Sequence, residues 1–171
     1  MNVFLIQIQQ QVHERVAAIA SAHPAWPCHK GCDDCCRSLA SEPLVSEAEW
    51  QRVAQAIDAL PNASLLYDRI CATAGQPRPV TCALLDQSTG ACLIYDARPI
   101  ACRTYGFYAE RDKVLGCHRI EALAQDPTIL WGNHATIEAQ LLTLGRAQEL
   151  SAWLTTSGTT AGTDSSPSRQ P

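Results

Sequence analysis

A chain of 171 residues with 46% hydrophobic and 18% charged side chains is long enough to bury a core and has the composition of an ordinary soluble globular domain. Its net charge of -4 excludes a global basic field that would draw nucleic acid or anionic lipid, and no apolar run is long enough to span a bilayer. Nine cysteines fall below the density of a disulfide scaffold, and an odd number cannot all pair.

At the N-terminus the apolar start lacks a cationic lead and breaks into glutamines (Gln9, Gln10, Gln11), which predicts no signal peptide. A cytoplasmic chain is therefore expected, with reduced thiols that favour metal ligation over disulfides. Phe4, Ile8, Val12, Val16 and Ile19 or Ala20 recur at helical spacing and predict a first helix to about Ala22. Pro24 and Pro27 end it. Residues 28–37 read as a loop wrapped on its ligands. Ser46-Glu47-Ala48-Glu49 is a capping box opening a second helix that carries Trp50, Val53, Ile57 and Leu60. Asn62 can cap a third, from Ala63 to Ala74, closed by Gly75.

Two short apolar runs, 82–85 and 91–95, flank Asp86-Gln87-Ser88-Thr89-Gly90 and predict a small hairpin. Residues 98–103 suit a short helical turn with Pro99 in its first positions. A further helix is expected from about Cys117 or His118 to Ala124. Asn133 is placed to cap a last long helix burying Ile137, Leu141, Leu144 and Trp153 or Leu154. From Thr155 the sequence offers almost nothing to bury, which predicts a disordered tail over 155–171 behind a single domain over 1–154. The fold class expected is mainly α, a small helical domain in which a cysteine-rich loop and a short β-hairpin close on a metal centre.

That expectation comes from the sulfur pattern. Cys28, Cys32, Cys35 and Cys36 stand within nine residues, and Cys82, Cys92, Cys102 and Cys117 follow as singles. Thiolates are preferred ligands of zinc and of iron–sulfur clusters, and four suffice for either. Adjacent Cys35 and Cys36 do not easily serve one small ion, so they point to two centres, or to one ligand and one packed thiol. Eight thiols are compatible with two four-ligand sites, one larger cluster, or one site with spares, and the sequence alone does not partition them. Cys71, between Ile70 and Ala72 in the third helix, reads as a core residue.

The ordered set Cys28…Cys32…Cys35-Cys36, Cys82, Cys92-Leu93-Ile94-Tyr95-Asp96-Ala97-Arg98-Pro99-Ile100-Ala101-Cys102-Arg103 and Cys117 resembles the YkgJ-type cysteine-cluster family, the CxxCxxCC zinc- or iron-chelating domain. The likeness runs from Cys28 to Arg119, and the stretch from Cys92 to Arg103 is its most discriminating part. It implies a bound metal or iron–sulfur centre and, for most members, no established activity. A related cluster occurs in the longer flagellin lysine N-methylases. Three residues rather than two separate Cys28 from Cys32, a departure from the family spacing.

Zinc ribbons usually bring ligands as two paired knuckles, whereas this chain has one crowded group and four singles. The preference is therefore iron–sulfur, with zinc as the alternative. Four thiolates on either centre leave a net charge of about -2 that cations should offset. Arg37, Arg98, Arg103 and Arg119 are placed in sequence to do so, Arg98 and Arg103 being the candidates for contact with the cofactor. The resulting reading is an iron–sulfur metal-binding protein with a redox or electron-transfer role; the alternatives are a zinc-binding structural or interaction domain, a metal-delivery protein, or a methyltransferase-related enzyme. A radical S-adenosylmethionine enzyme is disfavoured by the short chain, by Asp34 in place of an aromatic and by Cys36 beside the site. No catalytic residue is assigned. His29 and His118 are better suited to solvent-facing or supporting roles than to ligation, and Asp33 and Asp34 to shaping a polar turn. The four tryptophans are expected to be core and cluster-shielding aromatics. No nucleic-acid or membrane partner is expected, and a protein partner is left open.

Overall fold

The computed structural model describes residues 2–156. It is about 47% helical with a few small strands. The first helix, α1 (Val3–Ala22), is capped by Asn2, whose side chain accepts from the Leu5 N–H. Leu5, Ile8, Val12 and Ile19 form its buried stripe. Phe4 is 68% exposed, so the inward face begins one residue later than the periodicity suggested. With two large residues in succession, the position in phase with Ile8, Val12 and Ile19 wins.

Residues 34–37 form a single helical turn, α2 (Asp34–Arg37), where a loop was expected; Arg37 Nε donates to Asp33 Oδ2 at 2.6 Å and staples it. β1 (Leu44–Ser46) leads directly into α3 (Glu47–Asp58). The capping-box glutamate is buried there: Glu49 Oε2 accepts from the Ser46 N–H at 2.9 Å and from Ser46 Oγ at 2.7 Å. α4 (Ala63–Thr73) buries Leu66 and Ile70. Cys71 is exposed. It lies about 100° around the helix from Ile70, and that rotation takes it out of the core in which it was expected.

The hairpin is formed by β2 (Leu85–Asp86) and β3 (Ala91–Cys92), with Leu85 opposite Cys92. Both strands are shorter than the apolar runs. A 3₁₀ turn at Tyr95–Ala97 precedes α5 (Ile100–Thr104), with Pro99 at its N-cap. β4 (Tyr108–Glu110) pairs with β5 (Lys113–Val114) antiparallel and with β6 (Gly132–Asn133) in parallel. Tyr108 lies opposite Gly132, where an added Cβ would come 2.4 Å from the tyrosine ring. α6 (His118–Glu121) is one turn and stops short of Ala124.

α7 (His134–Leu142) is capped by Asn133 as expected, but it does not continue to Trp153. The chain breaks at Gly145, whose φ of +97° is left-handed. It then adds β7 (Ala147–Glu149) antiparallel to β1 and ends the described residues in α8 (Ala152–Thr156). Thr155 and Thr156 thus close a helix, and the rest of the expected disordered tail lies outside the described residues.

The packing gathers two cores. In the first, α1 packs on α5 and α7, enclosing Leu5, Val12, Ile100, Ile120 and Ile137. Trp26 stacks on Phe107 beside Trp131. In the second, α3, α4 and α8 enclose Val53, Ile57, Leu66, Ile70 and Trp153, with Trp50 stacked on Trp153. Each fully buried aliphatic side chain contributes roughly 1.5–3 kcal/mol. Glu49 links the two: its Oε1 accepts from the Ile100 N–H at 2.7 Å, holding the start of α5 against the start of α3. Among the described residues, no helix is long and apolar enough to cross a membrane.

Candidate metal centre

All eight candidate ligands are free and half-buried. Cys28 and Cys117 pack against the first core, and Cys82 and Cys92 against the second. Cys35 and Cys36 are carried by α2, and their sulfurs are 3.9 Å apart. The Cys82 N–H donates to the Cys36 carbonyl at 2.7 Å. That backbone bond is how the cysteine-rich loop and the hairpin meet. Cys102 rides on α5, whose first turn is fixed by the Cys102 N–H to Pro99 carbonyl bond at 3.0 Å.

Crowding raises the cost of thiolate in this assembly. Burial, followed by the neighbouring charges of Cys32, Cys117 and Cys35, pushes the Cys28 thiol up to about 12, with Arg119 opposing. The contact from Cys36 and burial raise Cys35. For Cys36 the contact from Cys35 lowers the value, but the Cys82 contact and burial outweigh it and carry the thiol to about 12. Burial, then Cys36 and Cys92, raises Cys102 to about 12. Burial raises Cys92, against the Ile94 N–H and Arg98. Such thiols hold their protons until a cation displaces them.

The candidate arginines divide their work. Arg98 lays its guanidinium 3.7 Å over the Tyr95 ring, donates to the Tyr95 carbonyl, and favours the thiolates of Cys35, Cys92 and Cys102. Arg103 donates instead to the Arg98 and Asp96 carbonyls, bracing the backbone that carries Arg98. Arg119 reaches Asp34 Oδ2 at 3.2 Å and Cys32 Sγ at 4.0 Å. Arg37 is engaged with Asp33 and the Gln87 carbonyl. Asp33 and Asp34 are thus both paired with arginines in the polar turn. His29 is exposed and contacts the Lys30 carbonyl.

Three contributors were not legible in the sequence. Tyr105 lies among Cys35, Cys117 and Cys28 and lines a cavity of about 310 Å³ with Asp34, Cys35, Cys117 and His118. Gly106, at φ +88°, stands where a Cβ would come 2.4 Å from Cys28 Sγ. Glu49 was visible as a cap but not as the acceptor that holds α5. The position of Tyr105 and Gly106, just after the Cys102-Arg103 stretch, was the signal that could have pointed to them.

The donor chemistry fits a thiophilic metal: eight free thiols, arginines beside them, and a backbone at Gly106 that makes room for sulfur. Coordination itself is not reached, since among the described residues no three Cys, His, Asp or Glu side chains are set closely enough to hold one ion. The family model described as "CxxCxxCC: Putative zinc- or iron-chelating domain" matches residues 27–127. No curated protein and no solved structure matches the chain. With well over half of its length covered from Pro27 through Pro127, this chain belongs to the CxxCxxCC family of zinc- or iron-chelating domains.

Proposed function

We propose that the chain is an iron–sulfur protein with a redox or electron-transfer role, its centre held by Cys28, Cys32, Cys35, Cys36, Cys82, Cys92, Cys102 and Cys117. The observation that carries this reading is that eight free, half-buried thiols spread from residue 28 to 117 in sequence include Cys28 and Cys117 packed on one core and Cys82 and Cys92 on the other, with the Cys35 and Cys36 sulfurs 3.9 Å apart. A bound cluster would supply one-electron reduction and oxidation. The protein's part is electrostatic. Arg98 and Arg119 offset the negative charge of the thiolates, and burial limits access of water. Arg103 holds Arg98 in place through the backbone.

Zinc is the second reading, favoured by a donor set made of thiols without histidine, which closes a tetrahedral zinc site as readily. Such a centre would be structural and redox-silent. Anaerobic purification followed by iron, zinc and acid-labile sulfide analysis, with visible and EPR spectra, separates the two. Iron matched by sulfide, with reversible reduction, is the expected result. A colourless protein carrying stoichiometric zinc selects the structural domain.

A further inference from the structure

We propose that the centre is loaded through the cavity beside Tyr105, and that Cys35 and Cys36 together capture the incoming thiophilic ion before other thiols close on it. This inference rests on the metal-binding reading above and adds to it the route of entry and the pair that binds first.

The pair is set by geometry. Cys35 and Cys36 are consecutive on α2, and their sulfurs lie 3.9 Å apart. Two thiolates on one tetrahedral zinc, each about 2.3 Å from the metal, stand about 3.8 Å from one another. The same edge suits two thiolates on one iron of a two-iron cluster. Adjacency in the sequence argued against a shared ion, yet the two side chains already converge on the spacing that one ion requires. A divalent cation would replace the proton between the sulfurs, both S–H protons passing to solvent as two sulfur–metal bonds form. Among the described residues no third donor is grouped closely enough to hold the ion with them. Two thiols are therefore in position beforehand, and further ligands have to move onto them.

The cavity reaches this pair at Cys35. It measures about 310 Å³, and Asp34, Arg37, Tyr105, Cys117 and His118 also line it. Tyr105 is 38% exposed, so the wall it forms meets solvent. Neither nearby arginine repels a cation unopposed: Arg37 is paired with Asp33 at 2.6 Å and Arg119 with Asp34 at 3.2 Å. A second cavity, of about 400 Å³, reaches a candidate ligand only at Cys82. No carboxylate lines it, and its Arg69 donates to the Leu85 carbonyl without an acidic partner among the described residues. That unpaired guanidinium opposes a cation. The electrostatics thus favour entry on the Tyr105 side.

The test uses the full chain, freed of metal by a chelator without oxygen. Cadmium ions are the probe, and uptake is followed by the thiolate-to-cadmium absorbance. Cys35→Ser and Cys36→Ser should each slow initial uptake at least about tenfold. Cys82→Ser and Cys92→Ser should lower the amount held without slowing the first phase. Ser38→Trp, which fills the cavity beside Tyr105, should slow uptake by a similar factor and leave the final amount unchanged. Gln76→Trp, in the second cavity, should change neither. Equal rates in the four serine variants, or a Ser38→Trp rate matching wild type or Gln76→Trp, overturns the inference while leaving metal binding intact. So does a chain that holds metal as purified but takes up no cadmium. A chain that holds none and takes up none overturns the reading beneath it.

A measurement on the wild type covers the case in which a substitution prevents folding. The metal-loaded chain is exposed to a chelator and N-ethylmaleimide together, and labelling rates are referred to those of the urea-unfolded chain. Exposed Cys71 should react at once. Because the first thiols to bind are the last to let go, Cys35 and Cys36 should be labelled after the other six. Labelling of either one ahead of those six overturns the inference.

Discussion

Gly106 is the residue at which backbone and sulfur chemistry meet most tightly. Its φ of +88° is left-handed, and a methyl group there would sit 2.4 Å from Cys28 Sγ. Gly106→Ala combines the left-handed penalty with overpacking and is expected to destabilise by about 2–4 kcal/mol. Urea unfolding of the metal-loaded protein measures it, and a cost under about 1 kcal/mol would show that the Cys28 side chain yields freely. Among the cysteines the contrast is between ligand and bystander. Cys32→Ser and Cys102→Ser should lower metal content and stability together. Exposed Cys71→Ser should stay within about 0.5 kcal/mol of wild type and keep its metal. Equal loss from all three would dissolve the distinction. The sequence sets Cys71 apart from the other eight by its place outside the cysteine pattern, but the core position expected for it is overturned: it is exposed.

At the scale of elements, Glu49 joins two helix starts with one carboxylate. It accepts from the Ser46 N–H and hydroxyl and from the Ile100 N–H, and it is 2% exposed. Glu49→Ala leaves these buried donors without their acceptor and is expected to cost about 3 kcal/mol, read from the denaturation midpoint. Because the Ile100 N–H opens the helix that bears Cys102, the same variant should also weaken metal retention against a competing chelator. Loss of stability without any change in retention would uncouple the cap from the site. Local signals made the long elements legible: the period of Ile8, Val12 and Ile19 for α1, and the capping box for α3. The strands were mostly hidden because pieces of two or three residues, such as β6 and β7, carry no alternation to read. They exist through pairing with β4 and β1, distant in sequence. The predicted last helix failed for a similar reason: Leu144 and Trp153 do serve cores, but different ones, and Gly145 turns the chain between them.

For the molecule as a whole, Cys28 and Cys117 lie against one core and Cys82 and Cys92 against the other, and metal ligation would add cross-links to those already made by contacts such as Glu49 to Ile100 and Cys36 to Cys82. The candidate ligands are proposed from spacing and from family likeness, but their spatial arrangement depends on the tertiary meeting of α2, the hairpin, α5 and α6, which no local pattern encodes. Binding energy at such a site is folding energy. Stripping the metal should therefore lower the melting temperature by at least about 10 °C, given roughly 2–4 °C per kcal/mol for a chain of this size. The most direct measurement is a paired thermal melt and elemental analysis of native protein prepared without oxygen, before and after chelation and again after metal is restored. The account predicts thiolate-bound transition metal in the native sample, a marked loss of melting temperature without it, and recovery on reloading. A native chain that contains no transition metal and melts cooperatively at one temperature, whatever ions are added, would contradict it.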